Sequence, residues 1–116
     1  MLLRSILINL MENAVDYTPP HGVIRIEPGP DGSDRFHVRI TNNFTVDTLT
    51  AEDLPKLFDR FWRHDAARTG DDHSGLGLPL ARAFAVALGY ELAATIEPDE
   101  HLLVLILRGP RTNTIV

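Results

Sequence analysis

The hydrophobic and polar residues of this chain alternate with different periods, and each period predicts a secondary-structure element. Between residues 2 and 17, apolar side chains recur every three or four positions, which is typical of an amphipathic helix. A similar pattern predicts a short helix over 51–61 and a long one over 78–88, with Gly89 as the C-cap of the latter. Strands are predicted where apolar and polar residues alternate or where short apolar runs occur: 23–27, 36–41, 91–97 and 102–108.

The connections between these segments add two expectations. Residues 28–33 are dense in proline, glycine and aspartate, so they predict the turn of a hairpin between the first two strands. The segment 102–108 is nearly all apolar, which indicates a central strand.

Together the elements predict an α+β fold, a two-layer sandwich with a mixed, mostly antiparallel sheet and both long helices on one face. The 116 residues are expected to form a single domain, 1–116, with a core from about 2 to 109 and a tail from 110 to 116. The first helix begins almost at Met1, which indicates a piece of a longer protein.

Composition and charge exclude several classes of function. There is no cysteine, hence no disulfide framework and no thiolate metal site. The net charge of −5 argues against a nucleic-acid-binding surface, and no apolar run reaches the roughly 18 residues of a membrane span. An anionic ligand would need a local basic cluster, and Lys56, Arg60, Arg63 and Arg68 supply four of the 11 basic residues in one short stretch.

The first helix carries an unusual polar stripe. Asn9, Asn13 and Asp16 fall on one narrow face at about 100° per residue, while apolar residues cover the other side. From this helix alone, two interpretations stay open: a solvated face, or a polar site lying on the core surface.

A second candidate site precedes the last helix. Gly75 and Gly77 lead into a helix N-terminus, where backbone N–H groups and the helix dipole favour an anion. Two glycines in a tight turn are an equally good explanation of this pattern alone. The preceding polar segment, 63–74, has no hydrophobic period and is expected to be a functional surface loop.

The order of these motifs resembles the ATP-binding catalytic domain of sensor histidine kinases, within the Bergerat-fold ATPase superfamily. Residues 9–19 resemble the N box of that family, residues 57–63 its F box, and residues 74–78 its second glycine box. The resemblance covers the chain from residue 2 to about 109, and it implies ATP and Mg²⁺ as ligands. The family domain usually has a further strand before the first helix.

The resemblance also implies roles for individual residues. Asn13 would be the Mg²⁺ ligand, because a neutral carboxamide oxygen suits a hard cation that takes its other oxygens from phosphates and water. Asn9 would contact phosphate or metal-bound water, and since an amide cannot act as a general base, it argues against a water-activating ATPase. Tyr17 would lie beside the adenine or ribose.

The implied catalytic set is Asn9, Asn13, Arg60 and Arg63, and the implied ATP-binding set is Asn9, Asn13, Asp16, Tyr17, Asn42, Arg68, Ser74, Gly75, Leu76, Gly77 and Leu78. The three arginines would bring positive charge to the phosphates. Residues 63–74 would form the ATP lid, with Phe58 and Phe61 anchoring its base to the core.

The first glycine box departs from the family pattern. Asn42 stands where the family has an aspartate that accepts a hydrogen bond from the adenine amino group, and its amide oxygen can still accept one. Phe44 and Val46 replace glycines, so they are expected to narrow the adenine pocket or stiffen the lid hinge. His73 replaces a further glycine.

The leading hypothesis is therefore a catalytic module of a two-component sensor kinase, transferring the ATP γ-phosphate to a histidine on a separate helical dimerisation domain. A pseudokinase-like docking module is one alternative, and a stand-alone ATPase or serine kinase of the same superfamily is another. The resemblance further implies a cytoplasmic domain, monomeric in isolation, and a parent that acts on a response regulator; it is compatible with a parent anchored in the inner membrane. No histidine of this chain stands in an acceptor context, so the chain alone is not expected to autophosphorylate.

Overall fold

The computed structural model describes residues 2–45, 49–59, 77–97, 99 and 101–110. Its elements in chain order are α1 (Leu2–Tyr17), β1 (Ile24–Pro30), β2 (Arg35–Asn43), a 3₁₀ helix (Ala51–Lys56), α2 (Gly77–Leu88), β3 (Glu91–Glu97) and β4 (Leu102–Pro110). None of the helices in these ranges is both long enough and apolar enough to cross a membrane.

The four strands form one sheet in the order β1-β2-β4-β3, and every neighbouring pair is antiparallel. The segment predicted to be central is indeed interior, since β4 pairs with β2 on one side and with β3 on the other. Ile40 lies opposite Leu105, and Leu105 lies opposite Ala94. This arrangement confirms the predicted α+β class.

Both long helices cover one face of the sheet. Helix α1 packs against α2 and β2, and α2 packs against β3, so α1 lies toward the β1 end of the helix layer. Alternate residues of β4 (Leu103, Leu105 and Leu107) join Ile6 and Leu10 of α1 in the core. Burying each of these aliphatic side chains stabilises the fold by roughly 1.5–3 kcal/mol.

One end of the opposite face of the sheet carries a group of charged residues. Arg35 Nη2 lies 3.0 Å from Glu91 Oε1, and Asp31 Oδ2 lies 3.5 Å from Arg108 Nε. These side chains are substantially exposed, so such pairs each contribute at most about 1 kcal/mol. Among the described residues, this end of the face therefore carries charge and no second apolar layer.

The first hairpin differs from the sequence-based prediction. The sequence predicts a turn over 28–33, but β1 continues to Pro30. The reversal occurs at residues 31–34, with Gly32 at φ +84°. Asp31 N donates to Arg35 O, and Asn43 N donates to Val23 O. The backbone N–H and C=O groups of the odd residues of β1 therefore point toward β2. Both prolines of β1 occupy even positions, where a missing N–H removes no bond to β2.

The short central helix also differs from its prediction over 51–61. A 3₁₀ helix spans Ala51–Lys56 and residues 57–58 form a turn. Pro55 has no N–H to bond the carbonyl four residues earlier, which disfavours an α-helix at this point. Thr50 N donates to Asp53 Oδ2 at 3.0 Å and fixes the start of the element.

Helix α2 ends as the sequence predicted. Gly89 adopts φ +78°, its N–H donates to Val86 O at 3.0 Å, and Tyr90 N donates to Ala85 O at 2.8 Å. This is the Schellman pattern of hydrogen bonds, for which glycine is the favoured residue.

Candidate functional site

The polar stripe of α1 lies at the border of the core. Leu10 and Ala14 on the same helix are fully buried, while Asn9 and Asn13 are half-buried and Glu12 is exposed. The amide oxygen Oδ1 of Asn13 is buried, yet it has no hydrogen-bond partner among the described residues. The interpretation of this stripe as a simple solvated face is therefore wrong for Asn13.

A second acceptor without a partner lies at the end of β2. Asn42 is 0% exposed, and its Nδ2 donates to the carbonyl of Asn43 at 2.8 Å. That bond orients the amide and leaves Oδ1 as an acceptor without a partner in the described part of the chain. Asn42 thus presents one oxygen acceptor, and its contact with adenine stays a prediction.

The N-terminus of α2 supplies the third part of the site. The helix begins at Gly77, and the next residue, Leu78, is buried in the core and fixes the helix start against it. A Cβ placed on Gly77 would meet no described atom within 4 Å. Packing among the described residues therefore does not require glycine here, and no described residue fills the space beside the positive end of the helix dipole.

A common core brings these three elements together. Each candidate residue has an apolar neighbour in one buried cluster. These neighbours are Ala14 next to Asn13, Leu78 next to Gly77, and Ile40 two residues before Asn42. Helix α1 contacts both α2 and β2. The carboxamides and the glycine therefore border the same apolar cluster, although they are far apart in the chain.

Keeping two buried oxygens without partners costs free energy. An unsatisfied buried acceptor is unfavourable by about 1–3 kcal/mol, so a folded protein usually pairs such an atom or uses it to bind a ligand. A neutral amide oxygen is a suitable ligand for Mg²⁺, which readily combines one protein oxygen with phosphate oxygens and waters. The chemistry of Asn13 fits that ion, and the chemistry of Asn42 fits a ligand with an amino group.

The remaining α1 candidates have mixed environments. Tyr17 is partly buried and packs against the core cluster, so its ring also has a structural role. Asp16 is half-buried. Both stay predictions as nucleotide contacts.

The first glycine box is described as far as residue 45. Phe44 is buried in the core cluster, its N–H donates to His101 O at 3.0 Å, and its ring lies 6.0 Å from that of His101. A core-packed ring explains why an aromatic residue can stand at this position. The expected narrowing of the adenine pocket stays a prediction, because Val46 lies outside the described residues.

The base of the predicted lid is partly described. Phe58 packs against the core, as expected for an anchor, and the guanidinium carbon of Arg82 lies 4.2 Å from the centroid of its ring. This cation–π contact links the segment after the 3₁₀ helix to α2. The lid itself (63–74) and the candidates Arg60, Arg63, Arg68, Ser74, Gly75 and Leu76, with Phe61 and His73, lie outside the described residues.

Replacing Gly77 with alanine tests whether its open space belongs to a ligand. We expect the free energy of unfolding to stay unchanged or rise by up to about 1 kcal/mol, because alanine has the lower unfolded-state entropy, while nucleotide affinity falls roughly tenfold (about 1.4 kcal/mol). Gly32→Ala is the matched control. At φ +84° the alanine side chain strains the hairpin, so the free energy of unfolding should fall while nucleotide affinity stays unchanged. Equal affinities for Gly77→Ala and the unmodified chain would contradict this role.

Comparison with known proteins shows the family of the chain. Residues 1–111 match the family described as histidine kinase-, DNA gyrase B- and HSP90-like ATPases. Over 112 residues the chain is 33% identical to the sensor protein VanSC of Enterococcus gallinarum, covering 96% of this chain and 30% of VanSC. The chain thus spans less than a third of the length of this relative.

Solved structures agree with the fold. The chain resembles the nucleotide-free catalytic domain of histidine kinase ThkA with a TM-score of 0.74 and 26% identity, covering 96% of this chain and 67% of that domain. It resembles the mycobacterial sensor histidine kinase MprB with a TM-score of 0.79 and 20% identity, covering 94% and 72%. With the family matched over nearly the whole sequence, this chain belongs to the histidine kinase-, DNA gyrase B- and HSP90-like ATPase family.

Proposed function

We propose that this domain is the ATP-binding catalytic module of a sensor histidine kinase. It binds Mg-ATP and presents the γ-phosphate to a histidine on a separate dimerisation domain of the parent protein. The observation that carries the proposal is a pair of buried acceptors, Asn13 Oδ1 and Asn42 Oδ1, that have no partner among the described residues and lie on elements that share one core. Family membership and the similarity to VanSC support the same assignment.

Each end of the site has a defined task in this proposal. Asn42 Oδ1 accepts a hydrogen bond from the adenine amino group, which selects ATP over a nucleotide with a 6-oxo group. Asn13 Oδ1 holds Mg²⁺, whose charge offsets that of the phosphates. The N-terminus of α2 at Gly77 offers backbone N–H groups to a phosphate.

The chemistry assigned to the protein is positioning and charge stabilisation. Asn9 cannot remove a proton from water, and a histidine acceptor needs no base at that position because its imidazole nitrogen is itself the nucleophile. Arg60, Arg63 and Arg68 add positive charge near the transferred group. The partner is the helical phosphoacceptor domain of the parent, and a cytoplasmic location would give both domains access to ATP.

Calorimetric titration of the domain tests the binding step. ATP with Mg²⁺ is expected to bind measurably, ATP with EDTA more weakly, and GTP with Mg²⁺ weakest of the three. A dissociation constant of about 1 mM corresponds to about 4 kcal/mol of binding free energy. If Mg-ATP at about this concentration gives no heat of binding, the proposal is contradicted.

A further inference from the structure

Backbone contacts link the turn between β3 and β4 to the side chain of Asn42. His101, which directly precedes β4, has a φ of +53°, in the left-handed region. Its carbonyl accepts a hydrogen bond of 3.0 Å from Phe44 N, one residue beyond the end of β2. This contact continues the β2–β4 ladder past its last strand pair, Asn43 with Leu102.

The peptide group between Asn43 and Phe44 passes this constraint on. A trans peptide is planar, and its N–H and C=O point in opposite directions. Because the Phe44 N–H points toward His101, the Asn43 carbonyl points away from β4. The Phe44 side chain is 5% exposed and packs in the core cluster, which holds the same peptide group in place. The direction of the Asn43 carbonyl is therefore fixed by β4 and by the core together.

That carbonyl decides how the Asn42 amide is turned. Asn42 Nδ2 donates to Asn43 O at 2.8 Å. A carbonyl oxygen only accepts hydrogen bonds, so it binds Nδ2 and would repel Oδ1. Asn42 Oδ1 accordingly lies on the other side of the amide, where it is buried and has no partner among the described residues. Turning the amide over would lose one hydrogen bond and place two acceptors against each other.

The orientation of this amide determines which purine it complements. Adenine carries an amino donor at the position where guanine carries an oxygen acceptor. With Oδ1 free, Asn42 complements adenine; with Nδ2 free, it would complement guanine instead. An amide that turns freely can bind either base and discriminates poorly between them. An amide held in one orientation acts as an acceptor only.

We propose that the His101 carbonyl and the peptide group between Asn43 and Phe44 form a positioning relay that sets the base selectivity of the site. The relay holds the Asn42 amide with Oδ1 toward the base. The inference rests on the proposed function, in which Asn42 contacts adenine. It adds the β3–β4 turn, which precedes β4 and is distant from Asn42 in the chain, as a determinant of the nucleotide that binds.

Replacing the peptide bond with an ester at residue 44 tests the relay. Phenyllactic acid in place of Phe44 keeps the side chain, removes the N–H and makes the Asn43 carbonyl a weaker acceptor. The ratio of the GTP to the ATP dissociation constant is expected to fall about fivefold, which is about the contribution of one hydrogen bond. The reason is that Asn42 can then turn and offer Nδ2 to a 6-oxo group. Calorimetric titration with Mg-ATP and Mg-GTP measures the ratio.

An ester at Val38 is the matched control. Val38 and Phe44 are both even residues of the same chain segment, so the Val38 N–H also points toward β4. The Val38 ester should therefore lower the free energy of unfolding in the same way and leave the GTP/ATP ratio unchanged. Circular dichroism verifies that both esters fold. If the Val38 ester lowers the ratio as much as the Phe44 ester does, the proposal is overturned.

Hydrogen exchange without nucleotide tests the relay independently of the proposed function. The Asn42 Nδ2 hydrogen that binds Asn43 O should exchange at least about fivefold faster in the Phe44 ester than in the unmodified chain, and the Val38 ester should not change its rate. NMR spectroscopy measures this exchange. An unchanged rate in the Phe44 ester overturns the relay, as does an unchanged GTP/ATP ratio in a chain that binds Mg-ATP. If the exchange behaves as expected but Mg-ATP does not bind, the amide orientation is confirmed and the proposed function fails.

Discussion

Replacing Asn13 with alanine is expected to reduce phosphotransfer by the parent kinase at least about 100-fold, or about 2.7 kcal/mol of activation free energy. The reason is that Asn13 Oδ1 is the buried acceptor proposed to hold Mg²⁺ against the phosphates. The same change should leave the free energy of unfolding within about 1 kcal/mol of the unmodified value, because it removes an unsatisfied buried oxygen and introduces a better helix former. Phosphotransfer with labelled ATP and urea unfolding measure the two effects.

Glu12→Ala is the matched control for Asn13→Ala. Glu12 lies one residue away on the same helix but is exposed, so its removal should change neither activity nor stability appreciably. If Asn13→Ala leaves phosphotransfer and signalling by the full-length parent intact, the result contradicts the catalytic assignment and favours the docking-module alternative.

Replacing Asn42 with alanine is expected to weaken ATP binding about tenfold or more, since a hydrogen bond from the adenine amino group is worth about 1.4 kcal/mol when its partner is buried. GTP binding should change little, because a 6-oxo group has no hydrogen to donate to Asn42 Oδ1. Selectivity for ATP should therefore fall by the same factor. Titration with both nucleotides measures that selectivity.

Two controls separate adenine recognition from general damage at this end of β2. Purine riboside triphosphate lacks the 6-amino group, so it should bind the unmodified chain and Asn42→Ala with equal affinity. Asn43→Ala removes an acceptor that takes a hydrogen bond from Val23 N at 2.7 Å, which should lower stability without altering selectivity. An unchanged ATP/GTP ratio in Asn42→Ala would reject this acceptor as the adenine contact.

Activity and stability respond differently to these changes for a physical reason. Asn13 and Asn42 each keep a buried oxygen without a partner in the described protein. Such an atom is unfavourable for folding and useful for binding, so removing it is expected to lower activity more than stability. A residue that only packs the core, such as Leu105 at 0% exposure, should lose more stability than activity when it is truncated, because the truncation leaves a cavity.

Hydrophobic period was sufficient to predict most of the elements. It located α1 and α2 closely, and it indicated that the apolar segment 102–108 is interior, because a strand covered on both edges and on one face has few places for charge. Local turn chemistry was less reliable. Pro28 and Pro30 suggested a turn, yet they belong to β1, because only the pairing with β2 decides which N–H groups are needed.

The sequence by itself determined the fold class and the order of the motifs, and it named the polar residues of the candidate site, because these depend on local periodicity and spacing. Only the tertiary structure decided that Asn13 and Asn42 each bury an oxygen that has no partner among the described residues, that Phe44 is part of the core, and that β1 continues through Pro28 and Pro30. Burial, hydrogen-bond satisfaction and strand register are properties of contacts between segments distant in the chain. No local pattern of residues specifies them.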